Sequence, residues 1–448
     1  MNDSGTSTPP RVLALDLYRS SAVVLVVIGH WLLSVMTYRD GQFGRDNPLV
    51  LMPWTQWITW FFQVVPVFFA VAGYASAVSW ARLPAHDRRS AQDWIRRRVA
   101  HTLGPTAIYA MFVVAVITAL MLAGIDRSVL ELGGWAVAMH LWFLAVYLMV
   151  VALTPIAVAA HRRWGLAVPA TLAACVVLVD AVGISSGHPE LRIVNYFFCW
   201  AAIYQLGIAW HGGLLRRRLL ASMALAAAVA LPLLVALGPY PVAMIGVPGD
   251  RVQNSAPPSV ALLALATLQI GVLFAVVPVL NRLLTRGRWP RIISIANNNV
   301  MALYLWQMIP VIVVTLVGYP TGLLRQPAIG SGLWWLARLE WELVLAVVTV
   351  ILLGLLSWGR RLFAAPLPTF AAPVHESASL AALYLGTAAC AVSLGVIAAT
   401  GFAPSGRFPV IPVVLFAGGA LLVAIRPRGA VAETSGSHLH DERPERYQ

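Results

Sequence analysis

Arg19 and His30 stand eleven positions apart in a run, DLYRSSAVVLVVIGHWLLSVM, that is otherwise almost wholly apolar. Ionisable side chains inside a membrane span are costly, so each such group is a candidate for function. A guanidinium is a permanent cation whose planar fork matches phosphate and carboxylate oxygens. A neutral imidazole is a proton acceptor or a nucleophile. In an α-helix their separation is about three turns, so both lie within roughly 20° of one face, roughly 16 Å apart along the axis. With Arg19 at one interface, His30 falls near the midplane of an apolar core about 30 Å thick. One helix face then offers an anion-binding group at the surface and a base inside the membrane. Asp16, one turn before Arg19, is placed to pair with it.

The elements that position these groups follow from composition. The chain has 448 residues, 59% hydrophobic and 11% charged, with a formal net charge of +13. Soluble domains run near 25% charged, so the chain belongs in a membrane. Every basic residue is Arg, and the arginines cluster in short segments between apolar runs. That is the positive-inside pattern rather than a nucleic-acid surface. Cys175, Cys199 and Cys390 all lie in apolar segments. They make neither a disulfide framework nor a metal site, and no metal is expected.

About twelve apolar segments have spanning length. The fold class expected is all-α, a polytopic transmembrane bundle of about ten core helices plus an appended pair. The first span is expected over about Leu13–Thr37, the second over Thr55–Trp80, the fourth over Trp135–Ala157 and the ninth over Ile292–Val317. The chain divides into an N-terminal tail (1–11), a membrane domain (12–358), a linker (359–377), two further spans (378–425) and a polar, disordered tail (426–448). Alternate connecting segments, counted from the N-terminus, hold 23 of the 31 arginines. This excess places both termini in the cytoplasm. Arg19 then lies at the cytoplasmic end of the first span, on the side of Arg96, Arg97 and Arg98. That triplet suits a polyphosphate or serves as a topology anchor.

Other residues are less specific. Ala70, Ala72, Gly73, Ala75 and Ala77 permit close helix approach in the second span. His140 is a second intramembrane histidine. Asn297–Asn299 open the apolar part of the ninth span. Arg338, Glu340 and Glu342 are expected to form an ion-pair cluster, and Asp180 reads as isolated.

Several segments, taken in order, resemble acyltransferase family 3, integral-membrane acyl-CoA-dependent O-acyltransferases. Asp16-x-x-Arg19, ten residues, then His30 resembles the family's first-helix signature. VPVFFAVAG (65–73, with Phe69 and Gly73) resembles its "FFxxSG" segment. RRRVAHTLGP (96–105) resembles its basic entry to the third helix. HLWFLAVYLMVVALTP (140–155, with His140 and Trp142) resembles its fourth helix, and NNNVMALYLWQM (297–308) its late "S…YLxH" segment. Ala72 replaces a Ser, Tyr147 stands near an expected acidic residue, and Gln307 replaces the late His.

The resemblance implies transfer of an acyl group, most simply acetyl, from cytoplasmic acyl-CoA to a hydroxyl of an envelope glycan, glycolipid or secreted metabolite. His30 would be the catalytic base or a transient acyl carrier. Arg19, Arg96, Arg97 and Arg98 would bind the CoA phosphates, with Asp16, Phe69, Gly73, His140 and Trp142 in support. The donor is a substrate, and no permanently bound cofactor is implied. The partners are acyl-CoA, the acceptor and the lipid bilayer, without nucleic acid, in a bacterial inner membrane. The alternative from another class is a secondary transporter of a small anionic solute. It predicts repeat symmetry between halves, which the sequence lacks.

Overall fold

The computed structural model describes residues 12–84 and 87–428. Both terminal tails, apart from residues 426–428 at the start of the C-terminal one, lie outside the described residues. The protein is a helical membrane bundle. Among the described residues, ten helices are long and apolar enough to cross a membrane, and a bent helix pair brings the number to eleven when counted as one broken span. The twelfth apolar run is a shorter helix, Val410–Ala424.

The chain builds helices α1 (Leu13–Leu33), α2 (Val65–Trp80), α3 (Arg88–Leu122) and α4 (Trp142–Ala152). Then come α5 (Ala167–Ser185), α6 (Asn195–His211), α7 (Arg217–Leu237) and α8 (Val260–Leu284). The last are α9 (Trp289–Trp306), α10 (Met308–Gly318), α11 (Gly332–Trp358), α12 (Glu376–Thr400) and α13 (Val410–Ala424). Side-chain oxygens cap several of them. Asp87 accepts from the Arg89 amide, Ser259 from Leu262 and Ser331 from Trp334.

α1 stops at Leu33, short of the expected Thr37, because a hairpin begins there. Val35–Arg39 pairs antiparallel with Gln42–Asp46. Asp40 and Gly41, both at positive φ, form the two-residue turn that an Asp-Gly pair favours. The second span is also interrupted. Short helical turns over Pro53–Ile58 and Thr59–Phe62 precede α2, and Gln63 at the break donates to the Met244 carbonyl at 2.9 Å.

α2 and α6 touch backbone to backbone. A Cβ at Gly73 would lie 2.0 Å from the Tyr204 carbonyl oxygen, and one at Gly207 would lie 1.9 Å from that of Ala70. The small-residue stripe in the second span does the packing its composition implies.

Two spans break at membrane depth. The fourth is expected to be continuous, but a helix over Arg127–Ala136 is followed by a 3₁₀ turn, Met139–Leu141, before α4 begins. α9 and α10 meet at Gln307 with a bend of 53°. Pro310 explains the bend: it has no N–H for the Trp306 carbonyl, and its ring crowds that turn. Irregular backbone at this depth is tolerated only where protein buries it or a cavity lies beside it.

The final pair is part of the bundle. α12 lies against α4 and the 139–141 turn. Residues 370–372 of the linker pair in parallel with 425–427, and the Leu367 amide donates to the Ala100 carbonyl at 2.9 Å.

Candidate active site

α1 carries Arg19, Ala22, Val23, Val26 and His30 along one face, with Arg19, Val23, Val26 and His30 three or four residues apart and Ala22 beside Val23. All but Arg19 line a small, partly open cavity. Phe68 of α2, His140, Trp142, Phe143 and Tyr304 wall it on the other sides. Both helix breaks meet here, since His140 lies in the 3₁₀ turn and Gln307 stands at the α9–α10 bend.

His30 is held by that bend. Its Nδ1 lies 2.9 Å from Gln307 Oε1. The Gln307 amide nitrogen donates to the Tyr304 carbonyl at 2.9 Å, so Oε1 can only accept. Nδ1 therefore carries the ring proton, and Nε2 keeps its lone pair. Trp31 Nε1 donates to the Gln307 carbonyl at 2.9 Å, and Trp341 Nε1 donates to the Trp31 carbonyl at 3.2 Å. Arg338 donates to the Ser34 carbonyl at 3.2 Å, placing a cation at the C-terminal end of α1. That arginine lies over the rings of Trp334 and Trp341.

Arg19 is fixed at the other end of α1. Its Nε and Nη2 donate to Asn297 Oδ1 at 2.9 and 2.8 Å, and Asp16 Oδ1 lies 3.6 Å from Nη2. Asn297 Nδ2 donates to the carbonyls of Asp16 and Ile293, which sets the orientation of the amide. The Arg19 side chain stays 37% exposed, and none of these contacts uses Nη1.

The Arg96–Arg98 triplet splits. Arg98 donates to Ser79 Oγ at 2.8 Å and lies over the Trp94 ring. Eleven residues separate Ser79 from Phe68, so Arg98 caps the α2 face that walls the His30 cavity. Arg97 is exposed. Arg96 corrects the expectation. It is 1% exposed, and its two terminal nitrogens donate to the carbonyls of Val423 and Ile425 and to Ser379 Oγ. It locks the last helices to α3 and presents nothing to a ligand.

The supporting residues also divide. Phe69 is fully buried, stacked on Trp200 at 4.7 Å, and stands behind the wall that its neighbour Phe68 forms. Gly73 is the helix contact described above. Trp142 and His140 do line the cavity. Tyr304, which the sequence did not single out, donates its hydroxyl to the His140 carbonyl. Asp180, read as isolated, is fully buried among four donors: Arg192 Nε at 2.7 Å, Val260 N at 2.8 Å, and Asn195 Nδ2 and Tyr240 OH at 3.1 Å. It knits the ends of α5, α6 and α8.

One helix face of a polytopic helical protein therefore carries a held imidazole and, about three turns away, a partly exposed arginine. A model of the acyltransferase domain, that of acyltransferase family 3, matches residues 12–358, and the chain belongs to that family. It is therefore a multi-pass membrane acyltransferase. No curated protein and no solved structure matches the chain.

Proposed function

We propose that the protein moves an acyl group, most simply acetyl, from acyl-CoA to a hydroxyl on an envelope glycan, glycolipid or secreted metabolite. One observation carries this reading: α1 aligns Arg19, the cavity wall and the Nε2 lone pair of His30 along a single face. The arginine-rich face then lies in the cytoplasm of a bacterial inner membrane, where CoA is found. Arg19, joined by Arg97 and Arg98, holds the CoA phosphates at that mouth. The thioester arm runs along α1 to the cavity. His30 Nε2 takes the proton of the acceptor hydroxyl as its oxygen attacks the thioester carbon. The C–S bond then breaks, and the departing sulfur recovers the proton from the imidazolium. Membership of an acyltransferase family sets the transporter alternative aside.

Calorimetric titration of the purified protein with acetyl-CoA tests the reading. Binding is expected for the wild type and for His30→Ala. Arg19→Ala is expected to weaken it by about 10–100-fold, the scale of one lost charge-assisted contact. His30→Ala is expected to abolish transfer while CoA still binds. Transfer retained in that variant removes the catalytic assignment. No binding by folded wild-type protein removes the acyl-CoA donor. A transient acyl-histidine on the same Nε2 is separated by steady-state kinetics: intersecting lines are expected for direct transfer and parallel lines for the two-step route.

A further inference from the structure

Acyl transfer needs more than a base. As the acceptor oxygen adds to the thioester carbon, its carbonyl oxygen becomes an oxyanion, which needs an N–H or O–H donor held in place beforehand. The cavity is almost bare of such groups. Most of its wall is aliphatic or phenyl. The Nδ1 proton of His30 is committed to Gln307, and the Tyr304 hydroxyl is committed to the His140 carbonyl. Two donors remain among the described residues of the wall, the indole of Trp142 and the imidazole of His140. Trp142 is partly exposed. His140 is 2% exposed, and neither of its ring nitrogens has a hydrogen-bond partner.

A buried polar group without a partner costs roughly 1–3 kcal/mol, and although the Leu305 backbone lies near this ring, neither ring nitrogen makes a hydrogen bond of normal geometry, which requires a reason. Its surroundings fix the ring without satisfying it. Tyr109 and Tyr304 pack edge-on to it at 6.0 and 5.2 Å, and their hydroxyls go to backbone carbonyls, that of Tyr109 to Val137.

We propose that His140 is the oxyanion donor of the acyl transfer, an inference that rests on the acyl-transfer reading above. Its ring N–H donates to the thioester carbonyl oxygen as the acceptor O–C bond forms. It releases the contact when the C–S bond breaks and the C=O bond returns. No proton leaves His140; the proton from the hydroxyl travels through His30 to the sulfur.

His140→Phe preserves the ring packing and removes the donor. Its kcat is expected to fall by about 10²–10³-fold, the cost of one lost oxyanion contact. KM for acetyl-CoA should stay within about threefold, and the melting temperature should stay level or rise, since a packing role predicts the reverse on both counts. The pH dependence of the residual activity should keep the limb set by His30; its disappearance would make His140 the base and overturn the assignment. His140→Gln retains an amide donor and is expected to recover at least tenfold over His140→Phe. If His140→Phe does not fold, His140→Gln is compared with His140→Ala in its place, and equal kcat in those two overturns the proposal. So does a His140→Phe enzyme within threefold of wild type. A wild type that binds no acetyl-CoA would instead overturn the acyl-CoA reading itself.

Discussion

At the scale of single residues, Gln307 decides which nitrogen of His30 is basic. Gln307→Leu removes the acceptor for Nδ1–H and frees the ring to take the other tautomer or rotate. Its kcat is expected to drop by about 5–100-fold, the equivalent of one buried hydrogen bond, with CoA affinity unchanged in the same calorimetric titration. Gln307→His, which restores an acceptor, is expected to recover most of the loss. The pairing of Arg19 with His30 is legible in the sequence because both ride one unbroken helix, where spacing alone fixes the face. The hold on His30 is not, because Gln307 is 277 positions away and reaches it only through the bend. The fate of Arg96 was half legible. Adjacent helix positions are turned by about 100°, so three consecutive arginines cannot all face one ligand. Which of them turns inward depends on α12 and α13, whose place beside α3 no local pattern records. The same rotation separates Phe68, on the cavity, from Phe69, behind it.

At the scale of elements, the breaks do the positioning. Apolar run length told where the spans lie but not where they are interrupted. A hydropathy window sees Met139–Leu141 as one more stretch of span, although the chain leaves the α-helix there. The Pro310 bend was available as a local signal, since proline removes a helical donor wherever it falls. Two substitutions test the scaffold apart from the chemistry. Gly73→Ala forces a methyl into the α2–α6 contact and is expected to lower the melting temperature without touching the cavity wall. Asp180→Ala leaves buried Arg192 without its carboxylate. It is expected to cost about 3–5 kcal/mol, read as a lowered unfolding midpoint in denaturant with acetyl-CoA binding intact below it.

At the scale of the whole molecule, the segment that matches the family ends at residue 358, but the network of contacts does not. Gly134 accepts the Phe402 amide at 3.1 Å, Arg89 pairs with Glu376, and Arg96 depends on carbonyls at 423 and 425. A chain stopped at residue 358 is expected to fail to give a monodisperse peak in detergent, because it strips a buried charged arginine of its acceptors at 379, 423 and 425. Replacing that side chain by an uncharged one of similar length, Arg96→Met, is expected to restore a measurable share of the monodisperse peak to the shortened chain. A lineage carrying this pair of helices can therefore shed it only in a set order, position 96 first and the helices afterwards. A single buried guanidinium thus works as a ratchet on the architecture, making the loss of the last two helices hard to reach.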